Sequence, residues 1–338
     1  MYQTKFLNSS HGFRPGRGCH SALRGLYLNG THYTWAIEGD ISKCFDSIPH
    51  EVILRSLRQN VNCEKMISLT RKSLEAGYTD PNTQRVTKSN VGTPQGSVLS
   101  PLLCNIVLNK MDRYVTWMRA KYQRGGVHRT PRQYKKLSKQ LAAATNDPKT
   151  FRRLRAARAQ IPSKDPLDAN FKRLLYVRYA DDFLILVIGP KADCIEIKER
   201  LTQFLKRRLG LTLHPDKTKI THLDKSEGIK FLGAEIKKVK TSQKVMRTAK
   251  YSSDRTSLSR GIKRVNQRLR VLAPINLLIE KLAKNGLAKR RKSDGSFAAT
   301  AKRGLVPLDH LKILTVYNQK IRGILNYYSF AGNRGQLH

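Results

Sequence analysis

The sequence predicts a mixed α/β (α+β) chain. Three observations carry that prediction: a strand, turn and helix pattern between Tyr33 and Leu57, two β-prone apolar runs either side of Asp181-Asp182, and apolar stripes at helical spacing farther along. With 338 residues, 39% of them hydrophobic, the chain can build a sizeable core and two domains.

In Tyr33-Thr-Trp-Ala-Ile-Glu-Gly-Asp-Ile41, alternation puts Trp35 and Ile37 on one face and Ala36, Glu38 and Asp40 on the other, as in a strand buried on one side. Asp40 then sits at a strand end. Pro49 and Glu51 suit the first turn of a helix that continues through Val52, Ile53 and Leu57. The next segment, Val91 to Met111, is a Gly/Pro turn running into an apolar helix whose buried side is marked by Leu99, Leu103, Ile106 and Met111. Gly92 and Gly96 either shape this loop alone or let a substrate approach the backbone closely.

Leu174 to Ile188 reads as a hairpin interrupted by Asp181-Asp182, with both carboxylates at its tip. Asp is also common in turns for its local hydrogen bonding, so the pair is consistent with a plain turn as well as a functional site. From Arg113 to Arg178 there are 18 Lys and Arg against three acidic residues, with little apolar periodicity, as in a basic insertion. Lys237 to Arg303 repeats the imbalance at 20 to three. There, Leu258, Ile262, Val265, Leu269 and Leu272 predict a helix that stops at Pro274, with Arg264 and Arg268 on its basic surface. In the tail, Tyr317, Ile321, Ile324 and Tyr328 share a helical face, either as core or with Tyr327 and Tyr328 free to stack on bases.

A formal net charge of +41 calls for a polyanionic partner, with nucleic acid the leading candidate. A spanning helix is excluded by the longest apolar run, Phe183 to Ile188, which is far short of the roughly 20 residues required. Met1 to Phe6 lacks a secretory or transit pattern. Cys19, Cys44, Cys63, Cys104 and Cys194 are scattered without zinc-site spacing and read as buried free thiols. No Walker A loop, H-E-x-x-H or G-x-S-x-G occurs, so the chemistry must rest on carboxylates.

Six motifs in order carry a family resemblance. They are His11-Gly-Phe-Arg-Pro-Gly-Arg17, Gly39-Asp-Ile-Ser-Lys-Cys-Phe-Asp46, Gly92-Thr-Pro-Gln-Gly-Ser-Val-Leu-Ser-Pro101, Tyr179-Ala-Asp-Asp182, Leu209-Gly-Leu-Thr-Leu-His-Pro-Asp-Lys-Thr-Lys219 and Phe231-Leu-Gly233. The chain resembles the reverse transcriptase/maturase proteins encoded within group II introns, and Ile321 to Ser329 looks like their maturase region, domain X. The resemblance implies a right-hand fold: partial fingers and palm over 1–235, with a basic insertion at about 119–172, then a helical thumb and domain X over 236–338.

It further implies that Asp40, Asp181 and Asp182 bind two Mg²⁺ ions roughly 4 Å apart for nucleotidyl transfer. Phe45 matches the residue that lies under the sugar and rejects a 2′-hydroxyl. Gln95 would line the nucleotide pocket and Tyr179 would support the primer end. Lys217 would approach primer or phosphates, or is a solvated turn lysine, and Arg14 and Arg17 would contact template or nucleotide. The implied partners are group II intron RNA, an RNA template with DNA primer, and dNTPs, without a membrane. The implied compartment is the mitochondrion, with plastid or bacterial cytoplasm as alternatives.

Met1 lies only ten residues before the first motif, where such proteins carry finger sequence, and no nuclease-type cysteine pairs follow the tail. Two expectations therefore stand together: an RNA-directed DNA polymerase with a maturase role, or an RNA-binding splicing cofactor or fragment that has lost synthesis. A generic basic protein is disfavoured by the Asp pair set between apolar strands.

Overall fold

The structure, a computed structural model, describes residues 2–30, 32–79, 86–87, 90–93, 96–161, 163, 165, 168–225, 228–238, 245–251, 258–264, 269–291 and 293–337. The elements begin with α1 (Cys19–Asn29), β1 (Trp35–Gly39), α2 (Cys44–Ser47), α3 (His50–Arg58), α4 (Glu64–Glu75), β2 (Tyr78–Thr79) and β3 (Val86–Thr87). Next come α5 (Ser100–Tyr122), α6 (Arg132–Ala143), α7 (Pro148–Gln160), β4 (Arg173–Tyr179), β5 (Asp182–Ile188), α8 (Lys191–Phe204) and β6 (Lys219–His222). The last are β7 (Ile229–Phe231), β8 (Ala234–Lys238), β9 (Val245–Tyr251), β10 (Leu258–Arg264), β11 (Leu269–Leu272), α9 (Ile275–Lys284), β12 (Ala288–Arg290), β13 (Phe297–Ala299) and α10 (His310–Tyr327). They fall into two compact units, one of Met1–Leu7, Tyr33–Tyr176 and Ile185–Ile220, the other of Asn8–His32, Val177–Leu184 and Thr221–His338.

The first unit is built on a sheet of order β4-β5-β1-β6. The expectation that β1 is buried on one side is corrected: Ala36 and Ile37, on opposite faces, are both buried. A strand with neighbours on both edges and cover on both faces reads as an apolar run rather than as a clean alternation. At its start Thr34 donates its N–H and its hydroxyl to the Val187 carbonyl, both at 3.2 Å. The helix expected after Pro49 is α3, and α2 adds one turn between strand and helix. Leu103, Ile106 and Met111 are buried on α5 as expected. Leu99 is not, because it caps the helix and is 45% exposed.

The basic insertion folds as a helical hairpin, α6 and α7, with no buried residue in either helix. Helix-forming Lys, Arg, Gln, Leu and Ala favour it, and the partly buried residues Tyr134, Leu137 and Leu141 of α6 and Phe151 and Leu154 of α7 recur at helical spacing. The Asp147 side chain caps α7 by accepting from the N–H groups of Lys149 and Thr150. Arg173 fixes the adjoining turn, its guanidinium donating to the carbonyls of Arg124, Gly125, Gly126 and Lys172. Of the cysteines, Cys44, Cys104 and Cys194 are buried, Cys19 is partly so and Cys63 is exposed, which corrects the expectation that all are buried.

In the second unit β11, β8 and β7 form an antiparallel sheet, while β9 with β10 and β12 with β13 form separate hairpins. The helix expected over Leu258 to Leu272 does not form. Leu258–Arg264 is a strand registered from Leu258 opposite Tyr251 to Arg264 opposite Val245, and β11 buries Leu269 and Val271 against β8. Gly261 in mid-segment disfavours a helix by about 1 kcal/mol, and a partner strand satisfies the backbone instead. Pro274 thus precedes a helix, α9, rather than ending one. Tyr328, Ala273 and Ala331 form a small core with Ile275, Leu278, Ile324 and Phe330. Asn333 closes it, accepting from Ala273 N–H at 2.8 Å and donating to the Ala273 carbonyl at 3.0 Å. Among the described residues no helix is long and apolar enough to cross a membrane.

The buried Tyr176 hydroxyl donates to Asp112 Oδ1 at 2.7 Å inside the first unit. Tyr176→Phe removes a hydrogen bond to a buried carboxylate, and urea unfolding should show a loss of about 1.5–3 kcal/mol.

Candidate active site

The Asp pair sits where β4 turns into β5, but the turn residues are Ala180 and Asp181, and Asp182 is the exposed first residue of β5. Ala180 has φ +54, a left-handed conformation that a non-glycine residue adopts only when its surroundings impose it. Two contacts impose it. Arg178, fully buried, donates from Nη1 to the Ala180 carbonyl at 2.7 Å and from Nη2 to Ser10 Oγ at 2.9 Å. Gly12 lies so close that a Cβ there would come within 2.5 Å of the Ala180 backbone nitrogen. The backbone of Arg178 completes the tie, donating to Ser9 and accepting from His11, so the first motif runs as a parallel extension beside β4.

His11 is held inside this joint. Ser21 donates its hydroxyl hydrogen to the Gly18 carbonyl, so the His11 ring, 2.7 Å away, is the donor through Nδ1. Burial, then the charges of Arg17, Arg14 and Arg178, push its pKa down to about 4. Arg14 and Arg17, expected to contact template or nucleotide, also serve the loop: Arg14 donates to the Ser10 carbonyl, Arg17 to the carbonyl and Oδ1 of Asn8. The exposed Phe13 ring stands 6.5 Å from that of Tyr179.

The tail joins the same unit. The Tyr327 hydroxyl donates to the Leu232 carbonyl at 2.8 Å and the Tyr328 hydroxyl to the Gly233 carbonyl at 3.0 Å. Both acceptors are left-handed, Leu232 at φ +49 and Gly233 at φ +68. Burial, followed by the neighbouring Cys19 thiol, raises the phenol pKa values of both Tyr179 and Tyr327. His20 Nε2 is 2.7 Å from the Tyr327 carbonyl. Of the two uses the sequence allowed, Tyr328 takes the core one, and both tyrosines brace the Phe231-Leu-Gly233 turn.

In the first unit, Asp40 follows β1 directly. Its carboxylate meets Lys217 Nζ at 2.5 Å, and its carbonyl accepts from His214 N–H at 2.8 Å. The Asp40 side chain is 13% exposed against 64% for Lys217, so a solvated ammonium reaches in to a largely buried carboxylate. Phe45 is half-buried on α2, its carbonyl accepting from Thr93 N–H at 2.6 Å and Thr93 Oγ1 at 3.3 Å. Gly92, at φ +84, is glycine because a Cβ would meet the Asp46 carbonyl oxygen at 2.7 Å. Its close approach is therefore to the chain itself. Gly96, at φ +93, faces open space.

Gln95 and Arg268 lie outside the described residues, and of Arg264 only the backbone is described, in β10. The residues that sequence reasoning missed are Arg178, Cys19, Gly12 and Thr93. A charged Arg178 inside an apolar run was the one available signal, since a buried guanidinium must be satisfied internally.

Among the described residues no three His, Cys, Asp or Glu side chains form a group that could hold a metal ion. The donor chemistry of Asp40, Asp181 and Asp182 nevertheless fits Mg²⁺, which takes carboxylate oxygens rather than thiolates.

The family described as "Reverse transcriptase (RNA-dependent DNA polymerase)" matches residues 1–122 and 149–236, and that described as "Type II intron maturase" matches 266–338. The chain is 36% identical over 346 residues to an uncharacterized 91 kDa protein in the cob intron of Schizosaccharomyces pombe, covering 100% of this chain and 40% of that one. It is 33% identical over 347 residues to the group II intron-encoded protein LtrA of Lactococcus lactis, covering 100% and 56%. A mitochondrial protein of Marchantia polymorpha, ymf11, is 32% identical over 226 residues, covering 65% and 28%. The chain thus spans about half, or less, of the length of these relatives.

The His11 site makes stability depend on pH. Unfolded imidazole takes a proton near pH 6.5 and the folded ring resists until about 4, so the unfolded state binds more protons in between. The stability this neutral ring contributes is complete above pH 6.5 and declines as pH falls toward 4. His11→Gln should flatten that part of the unfolding curve. Separately, the Tyr327→Phe, Tyr328→Phe pair should lower stability by about 1–3 kcal/mol in denaturant melts, the worth of two ordinary hydrogen bonds.

Proposed function

The chain belongs to the reverse transcriptase/maturase family of group II intron-encoded proteins, and from that membership we propose that it is an RNA-directed DNA polymerase whose C-terminal segment grips intron RNA in splicing. Its substrates are an RNA template, a DNA primer and dNTPs. The observation that carries the reading is the pair of family matches, reverse transcriptase over residues 1–122 and 149–236 and type II intron maturase over 266–338.

Two Mg²⁺ ions held by Asp40, Asp181 and Asp182 would supply Lewis-acid activation of the primer hydroxyl and neutralise the triphosphate. Lys217 keeps the Asp40 charge balanced and, once released, moves to primer or nucleotide phosphates. Phe45, held through its carbonyl by Thr93, lies under the sugar and excludes a 2′-hydroxyl. Tyr179 supports the primer end from its place beside Cys19, and Gln95 lines the nucleotide pocket. Arg14 and Arg17 steady the template side, and Arg264 and Arg268 add phosphate contacts. The polymerase part occupies 1–235, with the basic insertion at about 119–172, and the thumb and maturase part 236–338. The working compartment is the mitochondrion, a reading supported by the Marchantia relative.

Primer extension on an RNA template with Mg²⁺ tests this. Asp181→Asn and Asp40→Asn should each cut extension by about 100-fold or more, the scale of losing a preorganised electrostatic group, while RNA binding is retained. Equal extension by wild type and Asp181→Asn would overturn the assignment. Binding of the RNA template should weaken steeply with salt, because phosphate contacts release counterions.

A further inference from the structure

Helix α5 carries Tyr114, Trp117 and Lys121 at spacings of three and four, on one face. Tyr114 stacks on Phe204 of α8, with ring centroids 4.1 Å apart and planes within 4°, and Trp117 continues the column at 5.6 Å and 21°. The column ends at the surface: Trp117 is 45% exposed, and Lys121 Nζ stands 4.5 Å over its ring. Beside it lies a groove of about 420 Å³, walled by Trp117, Lys121 and Arg124 at the end of α5, by Lys172, and by Asp193 and Arg200 of α8.

The acids in this groove are already neutralised. Lys172 holds Asp193 at 2.6 Å, and Arg200 holds Glu196 at 2.6 Å. Lys121 and Arg124 remain as excess positive charge next to an aromatic face. An exposed indole at the end of a ring column, with two cations beside it, is the combination that binds single-stranded nucleic acid: a π face for one base and charges for the flanking phosphates. The volume is that of a small-ligand site, large enough for one nucleotide.

We propose that this groove binds an unpaired nucleotide of single-stranded RNA, the base stacking on Trp117 in place of the Lys121 ammonium, which moves to a phosphate together with Arg124. The proposal rests on the reading that the chain handles RNA, but none of its residues belongs to the polymerase motifs.

The test uses the full chain. Trp35 and Trp117 are its two tryptophans, so in a Trp35→Phe background all tryptophan emission reports on the groove. A short oligouridylate should quench that emission saturably, and an RNA duplex of the same length, whose bases are already stacked, should not. Trp117→Ala should weaken oligouridylate binding about five- to hundred-fold, the worth of one base–aromatic stack, and Trp117→Tyr should restore most of it. Lys121→Ala should reduce the salt slope by about 0.7, one phosphate contact on a single strand. Binding of oligouridylate without quenching, equal quenching by the duplex, or unchanged affinity in Trp117→Ala would each overturn the groove and leave the polymerase reading standing. Failure of the wild-type chain to bind any RNA would overturn both.

Discussion

A fully buried guanidinium is the constraint on which the second unit depends. Removing Arg178 from water is tolerable only because its N–H groups find the Ala180 carbonyl and Ser10 Oγ at good distances. Those bonds fix three things at once. They hold Ala180 at positive φ, they aim the Asp181 turn, and they dock residues 8–17 beside β4. Gly12 follows from that docking, because no other residue leaves room for the Ala180 backbone. His11 stays neutral for the same reason, being shut in by the loop and surrounded by guanidinium groups.

The tail extends this logic to the other end of the chain. Leu232 at positive φ is strained, and its carbonyl is held by Tyr327 while the next one is held by Tyr328. Cys19 lies near both Tyr179 and Tyr327 and, after burial, helps to raise both phenol pKa values.

Much of this was legible from residue pattern. The apolar runs around Asp181-Asp182, the Pro49 helix start and, apart from Leu99, the stripe of α5 formed as read, because in each case one force, burial, set both pattern and structure. The failures have different physical causes. Helices α6 and α7 bury no side chain fully, and their short apolar stripes, Tyr134-Leu137-Leu141 and Phe151-Leu154, are outweighed by basic residues, although the Asp147-Pro148 cap was in plain view. Leu258 to Leu272 has helical spacing, yet Gly261 and strand partners distant in sequence decide its conformation. Gly92 looked like a place for a substrate to approach, and the approach is made by Asp46. Local spacing says what a segment can do, and only the long-range partner says which option is taken.

The same distinction applies to the charge. A net +41 suggests one broad electropositive surface, but the cations do not all play the same part. Arg178 and Arg173 satisfy carbonyls, Lys172 holds Asp193, Lys238 is 7% exposed against Asp224, and Lys217 covers Asp40. The three lysines are each matched by a carboxylate a few ångströms away, whereas the two arginines keep their charge and have only their hydrogen-bonding groups satisfied. Helices α6 and α7 are different: their sequences carry four and five basic residues and no acidic ones, and neither buries a side chain. Uncompensated charge on an exposed scaffold acts over a Debye length and steers a polyanion toward the chain before any contact is made. The insertion that looked least informative in the sequence is thus where charge of one sign is most concentrated on exposed helices.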